Sequence, residues 1–187
     1  MPVKLIRPER FGDDRGWFCE TYNRERYAGL GIDAVFVQDN HSMSRDVGTL
    51  RGLHWQAPPH AQDKLVRCVR GAIWDVAVDA RRGSPTFGRW VAAELSATNG
   101  HQLFVPVGFA HGFVTIEPDT EVMYKVSAYY APEAEGGAIW SDPGLALSWP
   151  LAGREPVLSV KDKLLPTFSD QTTPFAYGGR PLEPIEP

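Results

Sequence analysis

The run Ile73-Trp74-Asp75-Val76-Ala77-Val78-Asp79 decides the fold. Successive side chains of an extended chain point to opposite faces, so Trp74, Val76 and Val78 share one face while Asp75 and Asp79 share the other. Around this strand, Ala72 to Ala80, seven more segments read as strands. They are Phe36 to Met43, Leu50 to Gln56, Lys64 to Val69, Arg89 to Leu95, Gln102 to Val105, Gly112 to Ile116 and Glu121 to Tyr129. Sixteen prolines and eighteen glycines interrupt the chain throughout, and the pieces between them are rich in Val, Phe, Trp and Tyr. This predicts an all-β fold of many short antiparallel strands closing into a sandwich or barrel.

One helix is expected, with Asn23 capping Arg24 to Ala28 and the Gly29 and Gly31 pair ending it. Beyond Trp149, prolines at 150, 156, 166 and 174 separate short apolar pieces. Residues from about 150 to 187 therefore read as an irregular C-terminal region over the body of a single domain, disordered from roughly Tyr177.

A length of 187 residues suits one domain with a real core. Apolar residues at 43% and charged residues at 22% exclude disordered, collagenous and coiled-coil classes. No apolar run nears the roughly 18 residues of a membrane span, and Met1-Pro2-Val3-Lys4 lacks the apolar core of a secretory signal. A cytoplasmic protein without membrane contact is expected. A net charge of −4 argues against nucleic acid as a partner, because phosphate tracking needs an excess of Lys and Arg. Cys19 and Cys68 have no second thiol at metal-like or redox-like spacing and read as reduced packing thiols.

The chemistry concentrates in Leu50-Arg51-Gly52-Leu53-His54-Trp55-Gln56 and the nearby Lys64. An imidazole, a guanidinium and an ammonium on neighbouring extended segments suit proton abstraction from an anionic, carbonyl-bearing substrate. Alternation places Gly52, His54 and Gln56 on one face, opposite Arg51, Leu53 and Trp55, with Gly52 leaving room for a ligand.

Pro106-Val107-Gly108-Phe109-Ala110-His111 has the Pro-x-Gly-x-x-His spacing seen in cupin barrels, where the turn delivers a histidine to the barrel mouth. A metal there needs three or more converging donors, yet no His-x-His partner segment exists. His54 and His60 are separated by Pro58 and Pro59, so no metal is expected. His54 and His111 then read as proton-transfer groups or, equally, as hydrogen-bonded barrel histidines. Lys64 fits a solvated strand lysine, and Tyr124, between Val122 and Val126, a core tyrosine. Arg and amide groups in Asp14-Arg15-Gly16, Gln38-Asp39-Asn40 and Arg51 suit a nucleotide-linked ligand. Neither GxGxxG nor GxxxxGK[ST] occurs, which removes the Rossmann and P-loop readings.

Together these segments resemble the dTDP-4-dehydrorhamnose 3,5-epimerase family, cupin-type enzymes of deoxysugar biosynthesis. The matching stretches are Phe11-Gly-Asp-Asp-Arg-Gly16, Phe36-Val-Gln-Asp-Asn-His-Ser42, Leu50-Arg-Gly-Leu-His54, Lys64-Leu-Val-Arg67, Ser84-Pro-Thr-Phe-Gly88, Gly108-Phe-Ala-His-Gly-Phe113, Tyr124-Lys125 and Lys161-Asp162. The resemblance implies a cupin-like jelly roll with a few short helices and double epimerisation of a dTDP-linked 4-keto-6-deoxy sugar without a cofactor. It implies His54 as general base held by Asp162, Lys64 facing the enolate oxygen, Tyr124 as proton donor and His111 near the sugar. Substrate contacts carry over to Arg15, Glu20, Gln38, Asp39, Asn40, Arg51, Glu135 and Lys161, with Tyr130 stacking on the thymine. The family usually forms homodimers in which each site receives an aromatic or Arg from the other chain.

Rival readings are a relative that inverts C3 or C5 alone, a ketoisomerase of the same barrel type, a metal-dependent cupin enzyme, and a non-catalytic sugar-nucleotide binding module.

Overall fold

The computed structural model describes residues 1–185. Its strands are β1 (Lys4–Ile6), β2 (Arg10–Asp13), β3 (Gly16–Cys19), β4 (Gln38–Ser44), β5 (Leu50–Gln56), β6 (Lys64–Arg70), β7 (Ala72–Asp79), β8 (Arg81–Arg82), β9 (Trp90–Ser96), β10 (Gln102–Val105), β11 (Phe109–Thr115), β12 (Thr120–Val126), β13 (Glu135–Gly137) and β14 (Phe175–Ala176). Helices α1 (Arg24–Gly29) and α2 (Val160–Lys163) are short.

Two five-stranded antiparallel sheets form the body, ordered β1-β10-β6-β12-β4 and β13-β5-β11-β7-β9. Val66, Cys68, Leu103 and Val122 of the first meet Ile73, Ala77, Leu95 and Phe113 of the second in the core between them. This is the antiparallel sandwich that strand spacing and turn residues predict, and the cupin-like jelly roll that the resemblance implies.

Both sheets are also covered outside, and this explains why β7 is buried almost throughout. Its Ile73 and Ala77 face the inter-sheet core, and Asp75 and Asp79 share their side. Val76 and Val78 lie on the outer side under Leu145, Phe168 and Phe175 of the C-terminal region. Burying an apolar side chain fully contributes roughly 1.5–3 kcal/mol, so this irregular cover stabilises the strand it packs on. The outer side of the first sheet is closed by Tyr27, Ile32 and Ala34, with Tyr22 and Phe36 alongside. Helix α1 starts as its cap predicts, Asn23 Oδ1 accepting from the backbone of Glu25 and Arg26 at 3.0 and 3.2 Å.

Four expectations need correction. The last long strand ends at Val126 and not at Tyr129, because β4, its edge partner, begins opposite at Gln38. β11 starts at Phe109 and not at Gly112, so that His111 lies within the strand, mostly buried. A second helix, α2, follows a Ser159 cap in the region expected to be irregular. The tail past Tyr177 is fixed to the body: β14 pairs parallel with β8, Tyr177 N donates to Arg82 O at 2.9 Å, and Leu182 N donates to Thr86 Oγ1 at 2.8 Å. Leu182 and Ile185 pack on the inter-sheet core, which gives this proline-rich segment an apolar anchor. Among the described residues no helix is long and apolar enough to cross a membrane.

Candidate active site

The site forms where β5 and β11 meet out of step. His111 stands opposite His54, yet Phe113, two residues on, stands opposite Arg51, three residues back. The extra residue on β5 is a bulge, and it turns both Arg51 and His54 toward the inter-sheet cavity. Strict alternation had put Arg51 on the far face; the bulge corrects that. Gly52 makes it possible: its φ is +115°, and a Cβ there would lie 2.6 Å from Gly112 Cα.

Asp162, on α2, is 4% exposed and lies 2.5 Å through Oδ1 from His54 Nε2. Burial pushes its carboxyl up, but hydrogen bonds from His54 and the Ser159 hydroxyl, with the charges of His54 and Lys161, bring the net value down. Asp162 is therefore ionised and accepts only, so Nε2 carries the proton it donates. Nδ1 has no hydrogen-bond partner among the described residues and retains a lone pair for a proton.

The facing sheet supplies the other groups. Val66 pairs with Tyr124 and Lys64 with Val126, which sets Lys64 and Tyr124 diagonally on one inner face. Burial pulls the Lys64 ammonium down to about 8, with Asp75 and Glu135 holding it partly up. Burial raises the Tyr124 phenol above its ordinary value, against the nearby Arg51 guanidinium, so it keeps its proton at neutral pH.

These groups share one cavity of about 260 Å³, lined by Arg51, His54, Lys64, His111 and Tyr124, with Asp162 and Lys161 at one side. An imidazole from one sheet and a phenol from the other thus open into a common space. Arg51 is steered there by Ser44, whose Oγ accepts from its Nε and Nη2 at 3.3 and 3.2 Å.

The remaining residues of interest fall into three places. Glu135 and Lys161 form an ion pair beside the cavity, and Tyr130 is exposed, its backbone N donating to Gln38 Oε1 at 3.1 Å. Gln38 and Asn40 lie on the inner face of β4, joined at 2.9 Å, whereas Asp39 points outward to Lys125 at 2.9 Å. Arg15, at the β2–β3 turn, pairs with Asp13, and Glu20 faces Arg26 at 3.2 Å; neither lines this chain's cavity. His60 faces Glu133 at 3.8 Å, and no group of three His, Cys, Asp or Glu side chains that could hold a metal occurs among the described residues.

Three cavity features escape a sequence reading. Asp75 Oδ1 lies 2.6 Å from His111 Nε2, and its Oδ2 is buried without a partner among the described residues. The alternation of acids on β7 is the signal for this pair. Ser42 Oγ is likewise buried and unpartnered in the cavity wall. Ser159 Oγ contacts Asp162 Oδ2 at 2.8 Å, and its signal is the Ser-x-x-Asp spacing of a helix cap.

The family model described as dTDP-4-dehydrorhamnose 3,5-epimerase matches residues 2–170. A protein of that name from Sinorhizobium fredii is 51% identical over 175 residues, covering 94% of this chain and 89% of its own. A crystal structure of the Bacillus anthracis enzyme of the same name, with TDP and pyrophosphate bound, superposes with TM-score 0.86 at 52% identity, covering 88% of this chain and 93% of that one. The Legionella pneumophila dTDP-6-deoxy-D-glucose-3,5-epimerase, in complex with dTDP-4-keto-L-rhamnose, gives TM-score 0.88 at 43% identity over 94% of both chains. On this match across most of its length, the chain belongs to the dTDP-4-dehydrorhamnose 3,5-epimerase family.

Proposed function

We propose that the chain converts dTDP-4-dehydro-6-deoxy-D-glucose into dTDP-4-dehydro-L-rhamnose by inverting C3 and C5, with no cofactor. The C4 ketone acidifies the hydrogens on both neighbouring carbons, so an enolate can form on either side. His54 Nδ1 takes each proton, Asp162 stabilises the imidazolium that results, and the Lys64 ammonium faces the oxygen on which charge develops. Tyr124 returns a proton from the opposite face of the sugar, and exchange with solvent then discharges His54 and reprotonates Tyr124 before the second centre reacts. The observation that carries this reading is the shared cavity, with the carboxylate-held imidazole on one wall and the protonated phenol on the other.

Arg51, His111 and Lys161 line the same cavity and would hold the anionic substrate, with Gln38, Asn40, Tyr130 and Glu135 extending the surface toward the nucleotide. Arg15 and Glu20 fit this scheme through a homodimer. They lie away from their own cavity, on or beside a hairpin whose Phe11, Trp17 and Phe18 are 51%, 60% and 69% exposed. Apolar exposure of that kind suits insertion against a second copy. The proposed setting is cytoplasmic.

The test is product analysis by NMR after turnover in heavy water. Deuterium at both C3 and C5 supports double inversion, and label at one carbon alone demotes the chain to a single-centre epimerase. Loss of activity with a strong chelator, restored by metal, would overturn the cofactor-free reading.

A further inference from the structure

We infer that Ser159 is a positioning residue for proton abstraction, its hydroxyl fixing the Asp162 carboxylate in the orientation that holds His54. The inference rests on His54 being the base. Ser159 Oγ donates to Asp162 Oδ2 at 2.8 Å and accepts from Asp162 N at 3.0 Å. One hydroxyl proton and its lone pairs satisfy both contacts at once. The two carboxylate oxygens are thereby divided, Oδ2 to the serine and Oδ1 to His54 Nε2 at 2.5 Å. Two anchored oxygens fix the plane of the carboxylate, and with it the direction in which the imidazole presents Nδ1.

The helix cannot achieve this by itself. Helix α2 has four residues, a single turn that has no stability of its own in water. Its position comes from the segment before it, where Val157 N donates to Gly48 O at 2.9 Å and Leu50 N donates to Val157 O at 3.0 Å. Leu50 is the first residue of β5, the strand that carries His54. The chain is thus stitched to the base's own strand at Val157, and Ser159, two residues on, carries that registration to Asp162.

A serine that only capped the helix would show the same contact to Asp162 N, so the variants must separate capping from donation. Ser159→Asp keeps a good cap but has no proton to give the carboxylate, whereas Ser159→Thr keeps both functions. With the full chain and the 4-keto sugar nucleotide, Ser159→Ala should lower kcat roughly 10- to 100-fold, the cost of one hydrogen bond to a charged group. KM should stay within about twofold, because the lost contact acts in the transition state. Ser159→Thr should recover most of the rate, and Ser159→Asp should be no better than Ala. A low-field proton NMR signal from the His54–Asp162 hydrogen bond should weaken in the Ala and Asp variants and return with Thr, independently of any substrate.

Wild-type kcat in Ser159→Asp, or an unchanged low-field signal in Ser159→Ala, would overturn the inference and leave Ser159 as a cap. Near-normal turnover in His54→Ala would instead overturn the base assignment. The NMR signal would then still report whether the serine holds the pair.

Discussion

Two His–Asp pairs stand side by side in this molecule, and they differ in what surrounds them. His54–Asp162 and His111–Asp75 are each joined through Nε2, at 2.5 and 2.6 Å, on histidines that face each other across β5 and β11. The His54 side chain is 32% exposed and that of His111 only 9%, while both carboxylates are buried. His111 and Asp75 sit on neighbouring strands of one sheet, and their geometry follows from ladder register. His54 borrows its carboxylate from a turn of helix 108 residues away. One pair is part of the wall, and the other is presented to the cavity. The same pairing is closed from solvent in one place and open to it in the other, and solvent access is what a proton-transfer group needs.

The largest expected effect is on catalysis. His54→Ala should lower turnover about 10²- to 10⁴-fold, the usual share of a general base, with nucleotide-sugar binding and thermal midpoint little changed. Water can reach Asp162 through the space the imidazole leaves, because that side chain already opens to the cavity. His111→Ala should instead cost stability, besides weakening the substrate contact proposed for His111. It strands Asp75, whose other oxygen already lacks a partner, and breaking such a buried pair costs about 3–5 kcal/mol. Denaturant unfolding of both variants checks the contrast, and equal losses of stability would erase it.

The second effect is a pH dependence with two opposite signs. Burial pulls Lys64 down to about 8, with Asp75 and Glu135 opposing, whereas burial pushes the Tyr124 phenol up. Activity that relies on the ammonium should fall as pH rises through about 8, before Tyr124 gives up its proton. Stability should respond the other way. The unfolded chain holds this proton more tightly, so the contribution of Lys64 to stability increases with pH between about 8 and its ordinary 10.5. Lys64→Arg should remove the alkaline fall of kcat/KM, and Tyr124→Phe should lower the rate without moving it. A fall that moves in Tyr124→Phe would reassign the group. Asp75→Asn should shift the fall to lower pH, because Asp75 is the carboxylate of the wall pair that holds up the Lys64 value.

How much of this was legible beforehand differs between the same two regions. Alternation in β7 placed Asp75 and Asp79 together, and the strand pattern placed His54 and His111 on candidate strands or their edges. These are local, period-two signals. The bulge at Gly52 was not legible, because it arises from the close approach of Gly112 on a strand paired from sixty residues away. For that reason alternation put Arg51 on the wrong face. The Asp162 partnership came from family resemblance alone, since no local pattern joins a cap near the C-terminus to a strand near residue 50. The tail past Tyr177 read as disordered because prolines hide the few apolar anchors, Leu182 and Ile185, that fix it.

The smallest effect separates ion pairs as the histidine pairs were separated. Lys161–Glu135 lies beside the cavity, with the lysine side chain 51% exposed, whereas Arg81–Asp79 is closed at 2.7 Å with side chains 6% and 0% exposed. Burial pushes Asp79 up, but Arg81, Ser84 and Thr86 outweigh it and bring the value down, so this pair remains charged inside the fold. An exposed pair contributes about 0–1 kcal/mol, because solvent screens it and two long side chains lose freedom to make it. Lys161→Ala should therefore leave the unfolding midpoint nearly unchanged. Its effect should appear in binding: a weaker grip on the substrate's anionic groups, and less salt dependence of KM than the wild type shows. An unfolding midpoint that drops as far as it does in His111→Ala would mean that exposure does not sort these pairs.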